Sequence, residues 1–281
     1  MAFRGVVVTP QNWDPETLAF HGVNHIHSIS LRHYLLYWDR IDYPSTNIFS
    51  FSLTPDEEFL ISSGHMIRTA VEFESFSGPA GLPLILAQIH AFQAHEESKP
   101  GHWALAQEGP KLFLPPEQSI ESRVVEVELY QALPVPTTDV PLQDIIWFKE
   151  RRAPELLALR SALDDLYQDV VRSGDLPRAR VNAIQKVERT LADINQVANE
   201  SWSTKFLSTL KAELNISNLA VGVTGGVSAA TAIGVAEEYG AICGVAATAL
   251  KFEIKLSRRP LGLPDHLAPF AYAHYIKQEL K

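Results

Sequence analysis

Sulfur is what this chain has least of. One cysteine, Cys243, and two methionines stand in 281 residues. That excludes an internal disulfide and any multi-cysteine metal cage, and it suits a reducing compartment. Positive charge is scarce in the first half. Residues 1–140 carry seven Lys/Arg against 17 Asp/Glu, a balance of −10, whereas 141–281 carry 17 against 16, a balance of +1. So acidic a half repels a phosphate backbone, which weighs against nucleic-acid binding there unless a metal intervenes. No secretory leader is expected either. Met1 to Pro10 offers only Val6-Val7-Val8 as an apolar run, where a leader needs roughly 7–15 residues. A soluble cytoplasmic protein is the expectation.

What is present reads as two halves. Hydrophobic content of 46% and charged content of 20% are those of an ordinary globular chain. Arg4 to Val8 reads as a buried strand stopped by Thr9-Pro10. Ser30 to Arg40 reads as a helix, with Leu31, Tyr34, Leu35 and Trp38 at helical spacing. Thr54-Pro55-Asp56-Glu57-Glu58 is a strong helix start: a capping hydroxyl, a proline for the first turn and three acids for the positive end of the dipole. Gly64 ends that helix. Ile67 to Phe76 alternates as a strand, Leu82 to His95 reads as a helix, and Val124 to Leu133 alternates again as a strand. The expectation for 1–140 is therefore an α/β or α+β domain with a small mixed sheet.

The Pro-rich stretch from Leu133 to Pro141 coincides with the charge step, and a domain boundary is placed there. In 141–281 the period changes. Leu156, Leu159, Leu163, Leu166 and Val170, then Ile184, Val187, Leu191, Ile194 and Ala198, recur at three and four. Ser173 to Pro177 separates the two runs, so an all-α domain of antiparallel helical hairpins is expected.

Residues 214–250 hold only two charges, Glu237 and Glu238, and six of the 15 glycines. Small residues recur every fourth place at Gly222, Gly226, Ala230 and Gly234, and again at Gly240 and Gly244. Such a stripe lets another backbone approach a helix closely, and a Gly/Ala-rich hairpin over 214–256 is expected. Two readings compete. One is soluble packing or an interface. The other is membrane insertion, since Leu214 to Ala236 is 23 residues without a charge, marginally enough to span a bilayer core of ~30 Å.

Candidate chemistry is thin. His21, His25, His27 and His33 fall in 13 residues, with Asp39 and Asp42 behind. On an extended segment His25 and His27 point to one face, as two ligands of a divalent metal must. The competing reading is of loop histidines bonded locally, with no cofactor. Glu253-Ile254-Lys255 has the shape of a metal-dependent nuclease motif but lacks its upstream aspartate. The glycines at 222–226 make neither a P-loop nor a dinucleotide fingerprint. Trp38, Trp103, Trp147 and Trp202 read as core or interface anchors.

Three stretches carry a resemblance: Ser30 to Asp42, Ile145 to Arg152 leading to Leu159-Arg160, and Pro269-Phe270-Ala271-Tyr272. On these the chain resembles an uncharacterised family of bacterial proteins known as a domain of unknown function. Proteins of that family are often found near phage-defence and mobile-element genes, so the resemblance implies a defence role by association. The leading expectation is a non-enzymatic sensor or assembly component with a protein partner or a homo-oligomeric state. The alternatives are a membrane-perturbing effector using 214–250, and a metal-dependent hydrolase or nuclease.

Overall fold

Gly5-Val6-Val7-Val8-Thr9 is buried at every position, the mark of a strand covered on both faces. The computed structural model describes residues 3–14, 19–22, 25–78, 81–107, 118–198, 206–207 and 263–280. Its elements begin with β1 (Gly5–Thr9), β2 (Gln11–Asp14), β3 (Ala19–Gly22), α1 (Ser28–Tyr37), β4 (Arg40–Asp42), β5 (Ser45–Thr46) and α2 (Pro55–Ser62). They continue with β6 (Met66–Ile67), β7 (Ala70–Val71), α3 (Leu82–Ser98), β8 (Trp103–Gln107), α4 (Gln118–Gln131), β9 (Val135–Pro136) and α5 (Leu142–Arg151). The chain closes with α6 (Ala153–Val171), α7 (Leu176–Ala198), β10 (Phe206–Leu207) and α8 (Ala271–Glu279).

The architecture is mixed α/β. Its main sheet runs β6-β4-β1-β8, and all three pairings are parallel, with Gly5 opposite both Arg40 and Trp103. The expected mixed sheet is thus corrected to a parallel one. Antiparallel pairing among the described residues is confined to the ribbons β2–β3 and β9–β10. In chain order the strands lie third, second, first, fourth, so the winding reverses at β1. The two faces part accordingly: Val6 and Val8 join the cluster with α1 and α2, while Val7 joins Leu82, Ile85 and Ile89 of α3. Gly5 is required by this packing, because a Cβ there would meet the Trp103 ring at 2.3 Å.

Local chemistry explains the helix ends. Thr54 Oγ1 accepts from Glu57 N at 3.3 Å and Glu57 Oε2 accepts from Thr54 N at 2.8 Å, a capping box that opens α2. At its other end Gly64 sits at φ 77°. Gly64 N donates to Ile61 O and His65 N to Leu60 O, the paired bonds of a Schellman stop.

The α6–α7 hairpin forms as the leucine spacing requires. Leu159, Leu163, Val187 and Ile194 are no more than 1% exposed, Leu191 is buried at 8%, and Ile184 is half-buried. One apolar cluster includes Val6 and Val8 of β1, Leu163 of α6 and Ile276 of α8. The strand expected over 124–133 is a correction: residues 124–131 belong to α4 and the last two lie just past its end. The extended run expected over 67–76 pairs in short pieces, through β6, β7 and a single bridge at Phe73. Residues 214–256 lie outside the described residues, with Gly222, Gly226, Ala230, Gly234, Gly240, Gly244, Glu253 and Lys255. So does Trp202. Among the described residues no helix is long and apolar enough to cross a membrane.

Candidate functional site

An α-helix ends with carbonyls that have no partner within the helix, and α1 ends inside the protein. Residues Ser30 to Tyr37 are all buried, so water cannot serve those carbonyls. Side chains from the second half do. Lys149 Nζ donates to Leu35 O at 3.1 Å and also to Trp38 O. Tyr272 Oη donates to Leu36 O at 2.9 Å, and Arg160 Nη2 to Tyr37 O at 2.7 Å. Two of these donors are cations, which also suits the negative end of the helix dipole.

Asp39, just past the helix, completes the knot. Its carboxylate accepts from both Nη atoms of Arg160, at 2.9 and 3.1 Å, and from Arg4 N at 2.8 Å. Lys149 Nζ stands 3.8 Å away. Arg4 in turn bonds Glu126 at 2.6 Å and also Asp164. Burial alone would raise the Asp39 pKa, but Arg160 and Lys149 outweigh it and hold the carboxyl below its ordinary value. Burial pushes Lys149 the other way, down to about 8, against the pull of Asp39. The three stretches that carry the resemblance thus meet at one place, where their polar groups cap a buried helix end.

A second polar group sits on the α3 face of the sheet. Asp42 is fully buried and accepts from Thr69 N at 3.0 Å, Thr69 Oγ1 at 2.6 Å and His95 Nε2 at 2.7 Å. The His95 ring stacks on Trp103 with centroids 3.7 Å apart. Nearby, Gln88 Nε2 donates to Val7 O and Ala106 O, and Gln88 Oε1 accepts from Gln107 Nε2. These bonds fasten α3 to the strands.

Among the described residues, His25, His27 and His33 join no metal-ligating group. His25 and His27 are exposed, and His27 Nδ1 accepts from Ile29 N at 3.3 Å as the cap of α1. His33 is fully buried inside α1, and the side chain of His21 lies outside the described residues. Among the described residues no three His, Cys, Asp or Glu side chains are grouped to hold an ion. Sequence reasoning missed Lys149 and Arg160. The signal was there: Arg160 lies on the apolar stripe between Leu156, Leu159 and Leu163, where a charge needs a partner.

One residue of the second stretch points outward. Ile145, Ile146 and Phe148 are buried and Lys149 reaches inward, but Trp147 is 57% exposed. With Val140, Asp144, Arg151, Glu279 and Leu280 it lines an open depression of about 140 Å³. Its rim is braced. Arg151 Nε and Nη2 donate to Glu279 Oε2 at 3.1 and 2.8 Å, and the Arg152 guanidinium lies 3.6 Å over the Tyr275 ring.

No curated protein and no solved structure matches the chain. A family profile does, over residues 8–281, a span that contains all three stretches and Trp147; by that match the chain belongs to DUF6236, a family of unknown function.

Proposed function

We propose that this protein is a non-enzymatic interaction module, a sensor or assembly component whose contact face is centred on Trp147. One observation carries the reading. In a helix whose neighbours at 145, 146 and 148 are buried, a tryptophan is held outward on a rim fixed by the Arg151–Glu279 ion pair. Exposed tryptophan beside arginine is the composition of interface anchors. The polar groups of the family stretches support it too, since they are committed to capping α1 rather than to a substrate. The bacterial anti-phage setting rests on the resemblance alone, and the cytoplasmic one on the scarcity of cysteine and the lack of a leader-like apolar run at 1–10.

The test is mass in solution, measured for the purified protein alone and with its neighbouring gene products. Wild-type protein should form a species heavier than the 31.2 kDa chain, with itself or with such a product. Trp147→Ser should weaken that association at least tenfold, a loss of about 1.4 kcal/mol or more, and leave the melting temperature unchanged. Association that survives Trp147→Ser intact would remove the contact face from the proposal. A wild-type protein that stays monomeric and takes no partner would remove the proposal itself.

A further inference from the structure

Parallel strands in register bring their starting residues to one edge. Here Phe3 precedes β1, Arg40 opens β4, His65 precedes β6 and His102 precedes β8. The edge is tightly knit: Gly5 N donates to His102 O at 2.8 Å, Ile41 N to His65 O at 2.9 Å, and His102 Nδ1 to Phe3 O at 2.7 Å. Lys99, at the end of α3, arrives at the same place. Its Nζ lies 5.5 Å from the Phe3 ring centroid, and the Arg40 guanidinium lies 5.8 Å from the same centroid.

These two cations differ from the others near the sheet. Arg4 pairs with Glu126 and Asp164, Arg32 with Asp56, and Arg160 and Lys149 with Asp39. Arg68 donates to Tyr43 O. Among the described residues, Arg40 and Lys99 make no ion pair and both approach the Phe3 ring; the Arg40 charge also acts on His65, and the Arg40 Nε is buried with no acceptor. Asp39, next in sequence to Arg40, is already taken by Arg160 and Arg4 N. A buried guanidinium donor without an acceptor is costly, and one ring quadrupole is a weak counterweight to two charges. After burial, the charges of Lys149 and Arg40 hold His65 below its ordinary pKa, with Asp39 opposing them.

We propose that this edge binds a small phosphate-bearing anion between Arg40 and Lys99, beside Phe3. Arg40 supplies the forked donors that fit an oxyanion, and Lys99 supplies a mobile point charge. The size limit comes from the surroundings. A half-chain balance of −10 repels a polyanion such as nucleic acid but admits a compact ligand held by two local cations.

Calorimetry and thermal melting of the full chain test it, with inorganic phosphate and pyrophosphate as probes and chloride at matched ionic strength as control. Wild-type protein should bind at least one probe saturably and melt higher with it. Arg40→Gln should weaken binding roughly tenfold or more, and Lys99→Gln less, since a single exposed point charge is lost. Lys99→Gln keeps the test decisive should Arg40→Gln fail to fold. The site is overturned by no saturable binding of either probe, or by variants that bind as wild type does. It is equally overturned by a single-stranded oligonucleotide that binds where both small probes do not.

Discussion

His33 shows how far a residue's meaning depends on its surroundings. In the sequence it is one of four clustered histidines; in the fold it is completely buried, with Nε2 2.9 Å from Tyr130 O and Nδ1 without a partner. A ring nitrogen facing a carbonyl must carry the proton, so the neutral ring is the Nε2–H tautomer. A second proton would go to Nδ1, which has no acceptor. Burial accordingly lowers the His33 pKa from 6.5 to about 4, the bond to Tyr130 O opposing it. Between those values the unfolded chain binds a proton that the folded chain does not, so stability falls as pH falls. Roughly 3 kcal/mol should be lost across that window on this account. His33→Gln keeps a donor for Tyr130 O and removes the titration. Urea midpoints for it should therefore fall less steeply between pH 6.5 and 4 than those of wild type. Parallel curves would mean that the ring is not buried neutral.

At the scale of elements, α1 and α4 teach opposite lessons. α1 and α2 were legible because their signals are local: leucine spacing, a capping box and a terminal glycine. α4 was misread because Val125, Val127 and Leu129 alternate with Glu126 and Glu128, which imitates a strand with one wet face. Those glutamates are not wet. Glu126 and Glu128 are 7% and 5% exposed and pair with Arg4 and Arg180, charges far away in sequence. The capping of α1 was equally out of reach, since Lys149, Arg160 and Tyr272 act across more than a hundred residues. Its energetics can be graded. Arg160→Ala removes a bidentate partner of Asp39 and a cap of Tyr37 O, and should cost about 3 kcal/mol or more. Arg160→Lys should recover little, because an ammonium cannot reproduce the fork. Tyr272→Phe leaves only the buried Leu36 carbonyl unserved, for about 1–3 kcal/mol. Urea unfolding of the three variants should give that order; a neutral Tyr272→Phe would mean that the helix end finds water after all.

At the scale of the whole molecule, the charge step near 140 and the change of period suggest two units, yet the packing joins them. Leu163 of α6 lies in the same apolar cluster as Val6 and Val8 of β1, and the end of α1 is closed by groups from α5, α6 and α8. Such a core should open as one cooperative unit. Leu163→Ala tests this from the far side of the step. Leu163 is 1% exposed, so truncation should cost about 2–5 kcal/mol. If the unit is one, amide exchange at Val6, Val7 and Val8 should speed up by the same free energy as exchange in α6, because both wait on the same global opening. If residues 1–140 fold by themselves, α6 will exchange faster while the β1 amides keep their wild-type protection. The two outcomes differ by at least a factor of about 30 in the β1 exchange rate for a 2 kcal/mol loss. That margin is wide enough to decide whether the Pro-rich stretch at 133–141 separates two domains or only turns the chain within one.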